Sequence, residues 1–195
     1  MRRTTITLTA LVCLGALTAC GGPQYADSAP KVKASADPAA TGAAPADKPK
    51  ADKPSAARVG GTITLKGMEE GEQLAVTLKK IVDPAQPKDE FFKPQDGSRW
   101  VGAQFELVNT GTKVYVDSPG NGAQVADAEG QRFGTTLADI SAGPSMTSDA
   151  NVPPGEKVLG WVVFEVPKAS KLASVQFAMN SGFSDETGQW KLGKE

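Results

Sequence analysis

The sequence contains no histidine and only two cysteines among its 195 residues. Histidine is the commonest general base in enzymes and the commonest protein ligand of metal ions. Imidazole-based catalysis and imidazole-ligated metal centres are therefore excluded. Chemistry that depends on cysteine is limited to two positions, Cys13 and Cys20.

Long hydrophobic runs are also scarce. The most apolar uncharged stretch, Thr4–Ala19, follows Arg2 and Arg3. A helix of that length rises about 1.5 Å per residue and falls short of the ~30 Å hydrocarbon core of a bilayer. A basic start, a short apolar segment and small residues at its end are typical of a secretory signal peptide. We predict that residues 1–19 form such a peptide and are removed.

The end of this segment, Leu17-Thr18-Ala19-Cys20-Gly21, resembles the lipobox of bacterial lipoproteins. The resemblance implies that Cys20 receives a diacylglycerol and becomes the new N-terminus. Two fatty chains hold a protein on a membrane where one chain gives only marginal binding. The sequence thus predicts a protein that is lipid-anchored to the cell membrane on its extracytoplasmic face. Because Cys13 would leave with the signal peptide, the mature chain would have no free thiol for a disulfide or a metal centre.

Residues 20–58 are predicted to be the lipidated cysteine followed by a disordered tether. Proline, alanine, lysine and aspartate dominate this segment, and Tyr25 is its single aromatic residue. Such a composition buries too little apolar surface to offset the entropy of ordering. We expect the tether to hold a folded domain away from the membrane.

Residues 59–195 contain 13 basic and 18 acidic residues, a net charge of −5. This charge repels a phosphate backbone, and nucleic acid is therefore not an expected partner.

The apolar residues of residues 59–195 alternate with polar ones, as in half-buried strands, and no segment has a sustained helical period. Val158–Val166 is apolar on both faces and is predicted to be a central strand. A break in alternation at Ile81-Val82 indicates a bulge. The strand-like segments are Thr62–Lys66, Leu74–Val82, Arg99–Asn109, Lys113–Val116, Ala126–Phe133, Val158–Val166, Leu172–Met179 and Gln189–Leu192. Within Ala126–Phe133, a turn is predicted at Ala128–Gly130 between two strands.

Seven or more short strands separated by turn residues predict an all-β fold, an immunoglobulin-like antiparallel β-sandwich. Three segments, Arg99–Gly111, Asp127–Phe133 and Val152–Lys168, resemble a family of unknown-function domains common in lipoproteins of Gram-positive, actinobacterial-type bacteria. The resemblance implies a sandwich similar to telokin-like secreted antigens. It brings no catalytic or binding residue with it.

Two long loops are candidate functional segments, because long connections in a sandwich often carry function. Asp83–Gly97 contains the apolar pair Phe91-Phe92. If exposed, the pair is a contact patch for a partner; if folded back, it plugs the open end of the sandwich, and we favour the plug. The second loop, Asp139–Gly155, is rich in serine, asparagine, aspartate and proline and is predicted to be a polar rim.

We expect a non-catalytic binding module without a cofactor, whose partner is a protein or a cell-wall component. One alternative is a calcium-dependent adhesion module, since Asp127 and Glu129 offer hard oxygen ligands in a turn that lacks EF-hand spacing. Another is a cell-envelope hydrolase that uses two carboxylates. Its candidate residues are Asp83, Asp89, Glu90, Asp96, Asp117, Asp127 and Glu129. The hydrolase would need a pocket with convergent polar groups and perturbed pKa values.

Overall fold

The computed structural model describes residues 56–193. The predicted signal peptide, Cys20 and nearly all of the predicted tether lie outside these residues. No helix of the described part has the length and hydropathy that crossing a membrane requires. The strands are β1 (Ala57–Arg58), β2 (Thr62–Lys66), β3 (Gln73–Val82), β4 (Ser98–Asn109), β5 (Tyr115–Asp117), β6 (Ala123–Asp127), β7 (Arg132–Phe133), β8 (Thr135–Thr136), β9 (Ala150–Val152), β10 (Lys157–Pro167), β11 (Leu172–Ala178) and β12 (Thr187–Lys191).

Two five-stranded sheets form a sandwich, which confirms the predicted fold class. The back sheet has the order β1-β12-β11-β6-β7, the front sheet has the order β2-β3-β4-β10-β8, and β5 pairs separately with β9. All pairings are antiparallel except that of β1 with β12. Strand β1 begins at Ala57, two residues before the predicted start of the domain at residue 59.

The core lies between the two sheets and follows the alternation in the sequence. Phe105 of β4, Phe177 of β11 and Trp190 of β12 are fully buried there. Their rings contact one another, with centroids 5.5 Å apart for Phe105 and Phe177 and 5.9 Å apart for Phe105 and Trp190. Aromatic side chains bury the largest apolar areas, so this trio contributes strongly to the stabilisation between the sheets.

The outer face of the front sheet carries a second, smaller apolar cluster, which positions the candidate site. It consists of Ala85, Trp100, Ile140, Trp161 and Val163. Because alternate residues of β10 face the main core and this cluster, the strand is apolar on both sides, as predicted.

The two long loops cover this outer face. The predicted polar rim at Asp139–Gly155 is therefore wrong: Ile140 is only 1% exposed and packs in the outer cluster, and residues 150–152 form β9. The physical reason is that an apolar outer face on β10 must be shielded from water, and this loop supplies the shield.

Two details of register also differ from the predictions. The register shift of β3 against β4 falls between Leu78 and Lys80, earlier than the predicted bulge at Ile81-Val82. Strand β5 begins at Tyr115, because the backbone of Lys113 is engaged elsewhere: its amide donates to the Gly71 carbonyl at 3.3 Å, and its carbonyl accepts Asn109 Nδ2 at 2.8 Å. The turn predicted at Ala128–Gly130 is confirmed: β6 ends at Asp127 and β7 begins at Arg132.

Candidate functional site

A groove of about 520 Å³ opens at the edge of the front sheet, and we call it the Trp161 groove. It is bounded by three segments: residues 161–163 of β10, residues 135–139 that include β8, and residues 145–148 of the second long loop. Its lining is completed by Asp89 and Phe92 of the first long loop and by Ser118, Gly120 and Asn121 near the 3-10 turn Pro119–Gly122. Its size is in the usual range for a small-ligand or side-chain pocket.

The groove forms because two segments pair with the same edge of β10. Thr135 and Thr136 pair with Phe164 and Val163. Further along the edge, the Trp161 amide donates to the Pro144 carbonyl at 3.0 Å, and the Met146 amide donates to the Trp161 carbonyl at 2.8 Å. The space between these two attachments is the groove.

Gly160 allows the second attachment. A Cβ atom at this position would lie 2.4 Å from the Cα atom of Met146. Only glycine lets residues 144–146 approach β10 so closely.

The indole N–H of Trp161 is the least satisfied polar group of the groove. Trp161 is 4% exposed, and its Nε1 is the buried side-chain atom without a hydrogen-bond partner among the described residues. The other two tryptophans are satisfied: Trp100 Nε1 donates to Glu165 at 3.1 Å, and Trp190 Nε1 donates to the Gly61 carbonyl at 2.8 Å. A buried donor without an acceptor costs about 1–3 kcal/mol and calls for an explanation.

The atoms around Trp161 Nε1 leave little room on one side. Gly143 has a φ of +152°, and a Cβ there would lie 2.8 Å from Nε1. The indole N–H thus lies against the residues that connect the two walls of the groove.

The charged residues among the described lining are two aspartates. Asp139 Oδ1 accepts the Ser145 hydroxyl at 2.6 Å, which links the two walls. Asp89 Oδ1 accepts the amides of Phe91 and Phe92 at 2.9 and 3.2 Å. In each carboxylate only Oδ1 makes these contacts, and no lysine or arginine lines the groove, so its local charge is negative.

The predicted partner residues lie beside this groove rather than in the sandwich. Phe91 is 92% exposed and Phe92 is 66% exposed, so the plug interpretation is wrong, and a contact patch for a partner stays a prediction. The reason is local: the Asp89 carboxylate fixes a tight turn that directs the following residues outward. Phe92 lines the groove, whereas Phe91 does not.

Asp127 and Glu129, the predicted calcium ligands, lie in the turn between β6 and β7. Asp127 is buried, and its Oδ1 accepts the amides of Glu129 and Gln131 at 3.1 and 2.8 Å. Its observed task is to close the turn. Within residues 56–193 no three acidic or cysteine side chains are grouped as a metal site would need, and calcium binding stays an untested alternative.

Four of the seven carboxylates considered for hydrolysis, Asp83, Asp89, Asp117 and Asp127, accept hydrogen bonds from this protein's own groups. Asp83 accepts two hydrogen bonds from Arg99, at 2.6 and 3.0 Å. Asp117 accepts the Tyr115 hydroxyl at 3.0 Å and both the amide and hydroxyl of Ser181, at 2.9 and 2.6 Å. These contacts tie strands and turns together. Of the seven candidates, Asp89 is the one that lines the Trp161 groove, where the second carboxylate is Asp139.

Elsewhere, neighbouring lysines keep carboxylates ionised. The hydrogen bond from Lys113 lowers the pKa of Glu69, and the hydrogen bond from Lys157 lowers the pKa of Glu106. A general acid needs the opposite shift.

Sequence reasoning placed Trp161 in a central strand but missed its role in the groove. A signal was present: a strand apolar on both faces must be covered, and a buried tryptophan normally needs an acceptor for its N–H. The groove itself leaves no local signal in the sequence, because it forms only where residues 135–136 and 144–146 pair with β10.

The fold has counterparts among solved structures. A secreted protein from Mycobacterium tuberculosis, MPT63, is 18% identical, with a TM-score of 0.50 over 72% of this chain and 98% of that chain. The ycdA protein of Bacillus subtilis, a candidate lipoprotein, is 16% identical, with a TM-score of 0.47 over 64% of this chain and 38% of that chain. The yjhA protein of the same species is 14% identical, with a TM-score of 0.46 over 70% of this chain and 99% of that chain.

No curated protein matches the chain in sequence. A family model does match: residues 70–188 fit the domain of unknown function DUF4352. The matched range runs from the turn before β3 into β12 and contains the whole Trp161 groove. The chain belongs to the DUF4352 family.

Proposed function

We propose that this protein is a lipid-anchored module of the cell surface that binds a partner without catalysis, through the Trp161 groove. The observation that carries the binding role is the unpartnered indole N–H of Trp161, which is buried at the groove. An unsatisfied donor costs stability in the free protein, and a ligand that supplies an acceptor recovers that cost on binding.

The anchor is supported by the sequence from Leu17 to Gly21 and by the short apolar segment before it. The neighbour MPT63 is described as secreted, and export of this chain agrees with that description. In cells that express the protein, Cys20→Ser should release it from the membrane fraction into the medium. The intact mass of the wild-type protein should lack the first 19 residues and include a diacylglycerol. Unchanged membrane retention of the variant would contradict the anchor.

The binding role is tested by crosslinking in intact cells. A photoreactive amino acid replaces Leu137, which lines the groove and has a relative exposure of 101%. The matched control places it at Val59, which is also exposed but lies next to β1. We expect a discrete, saturable adduct at Leu137 that weakens with Trp161→Phe and is absent at Val59. Equal labelling at both positions would contradict a binding role for the groove.

A further inference from the structure

We infer that the ligand of the Trp161 groove is an extended peptide segment with a cationic side chain. The inference rests on the proposed function, since it names the ligand class of the same groove. Three independent properties of the site carry it: the geometry of Trp161, the open edge of β8 and the charge of the lining.

The geometry of Trp161 selects a hydrogen-bond acceptor and disfavours a sugar ring. Carbohydrates stack on the exposed faces of aromatic rings, but here the ring packs against the outer cluster. A Cβ at Gly102 would lie only 3.2 Å from Cε3 of Trp161, and Ile140 belongs to the same cluster. The indole N–H has no hydrogen-bond partner among the described residues, so a ligand acceptor that reaches it recovers the cost of its burial. Peptide carbonyls are acceptors of the required kind.

The edge of the front sheet offers a partner for an extended backbone. Strand β8 is the last strand of this sheet in the described part of the chain. It has only two residues, Thr135 and Thr136, and Leu137 beyond them is fully exposed. An extended peptide can add to such an edge through its main chain while its side chains enter adjacent pockets.

The charge of the lining selects a cation. Asp89 and Asp139 each have one carboxylate oxygen engaged by this protein's own groups, and a ligand amine can reach the other. Lys88 and Lys93 belong to the same loop as Asp89 but do not line the groove. Anionic polymers are therefore disfavoured, and a lysine side chain is favoured, by charge complementarity.

The three indole N–H groups provide the experiment, because each lies in a different environment. The full chain, labelled with ¹⁵N at tryptophan and held in detergent micelles, should give three indole cross-peaks. Trp161→Phe identifies the groove peak, while Trp100 and Trp190, which keep their internal acceptors, serve as internal references. The probes are the blocked peptide Ala-Val-Lys-Val-Ala, its Ala-Val-Glu-Val-Ala counterpart and the neutral oligosaccharide maltotetraose.

We expect the lysine peptide to shift the Trp161 peak saturably and to bind about tenfold more tightly than the glutamate peptide, as charge complementarity predicts. Asp139→Asn should weaken binding of the lysine peptide, and the exposed Asp185→Asn should not. No saturable shift with the lysine peptide, equal binding of both peptides, or a shift caused by maltotetraose alone would overturn the ligand class. The proposed function would survive these results if the Leu137 adduct in cells persisted, and would fail separately if it did not.

Discussion

At the residue scale, exposure separates phenylalanines that stabilise the fold from those that are free to bind. Phe105 is fully buried between the sheets, whereas Phe91 is almost fully exposed. Phe105→Ala should lower the free energy of unfolding by about 3–5 kcal/mol, because it removes apolar contacts and leaves a cavity. Phe91→Ala should change it by less than about 0.5 kcal/mol. Urea denaturation of the two variants measures both values, and a large loss in Phe91→Ala would restore the plug interpretation.

Tyr115 gives the second prediction at this scale. Its burial, together with the nearby Asp117 carboxylate, raises the pKa of its hydroxyl well above the ordinary value. The unfolded chain loses this proton near pH 10, whereas the folded chain keeps it. Tyr115 therefore contributes full stability below about pH 10 and loses it as the pH rises further, by up to about 1.4 kcal/mol per pH unit.

The comparison variant is Tyr115→Phe, which cannot ionise. It should be less stable than the wild type at pH 7, because the hydrogen bond to Asp117 is lost. The difference should shrink between pH 9 and pH 11 in urea denaturation series. Parallel curves over this range would show that Tyr115 titrates normally in the folded protein.

At the element scale, the attachment of residues 144–146 to β10 shapes the groove. Gly160→Ala would bring a Cβ to 2.4 Å from the Met146 backbone, so the attached segment must move. We expect a shift of the Trp161 indole signal and lower stability. Gly134→Ala is the matched control, because nothing lies within 4 Å of a Cβ there. An unchanged Trp161 signal in Gly160→Ala would mean that the segment adapts without altering the groove.

The turn between β6 and β7 gives the second prediction at the element scale. Asp127 Oδ1 already accepts two backbone amides. Asp127→Ala should cost about 1–3 kcal/mol, since two backbone amides lose their hydrogen bonds to a carboxylate. Millimolar calcium or excess EDTA should leave the Tm of the wild type unchanged. A calcium-dependent rise in Tm that disappears in Asp127→Ala would support the calcium alternative.

At the scale of the whole molecule, the domain boundary can be tested with trypsin. Lys48 and Lys53 precede proline and resist cleavage, so the last susceptible bond of the predicted tether follows Lys50. Arg58 lies in β1, which pairs with β12, and its Nη1 donates to the Gly193 carbonyl at 3.1 Å. The stable fragment should begin at Ala51. A fragment that begins at Val59 would show that β1 is not a firm part of the sheet.

The sequence was most informative where alternation alone decides burial. Ile63, Leu65, Phe105 and Phe177 all lie in the core as predicted, because a period of two sends alternate side chains to one face. The loops were predictable only in part. The direction of Phe91 and Phe92 depends on an Asp89 turn, and the groove depends on pairing between β10 and residues distant in sequence. Such long-range pairings leave no local pattern.

The route by which the chain enters the domain has a mechanical consequence. Residues that precede the sandwich join it through β1, a two-residue strand of the back sheet, whereas the groove opens on the front sheet. Tension from a membrane anchor would therefore act first on the β1–β12 pairing. Two residues resist less than the long pairing of β4 with β10. Under tension, β1 would detach first and lengthen the linker between the membrane and the domain. The Trp161 groove on the front sheet would stay folded and keep its bound partner.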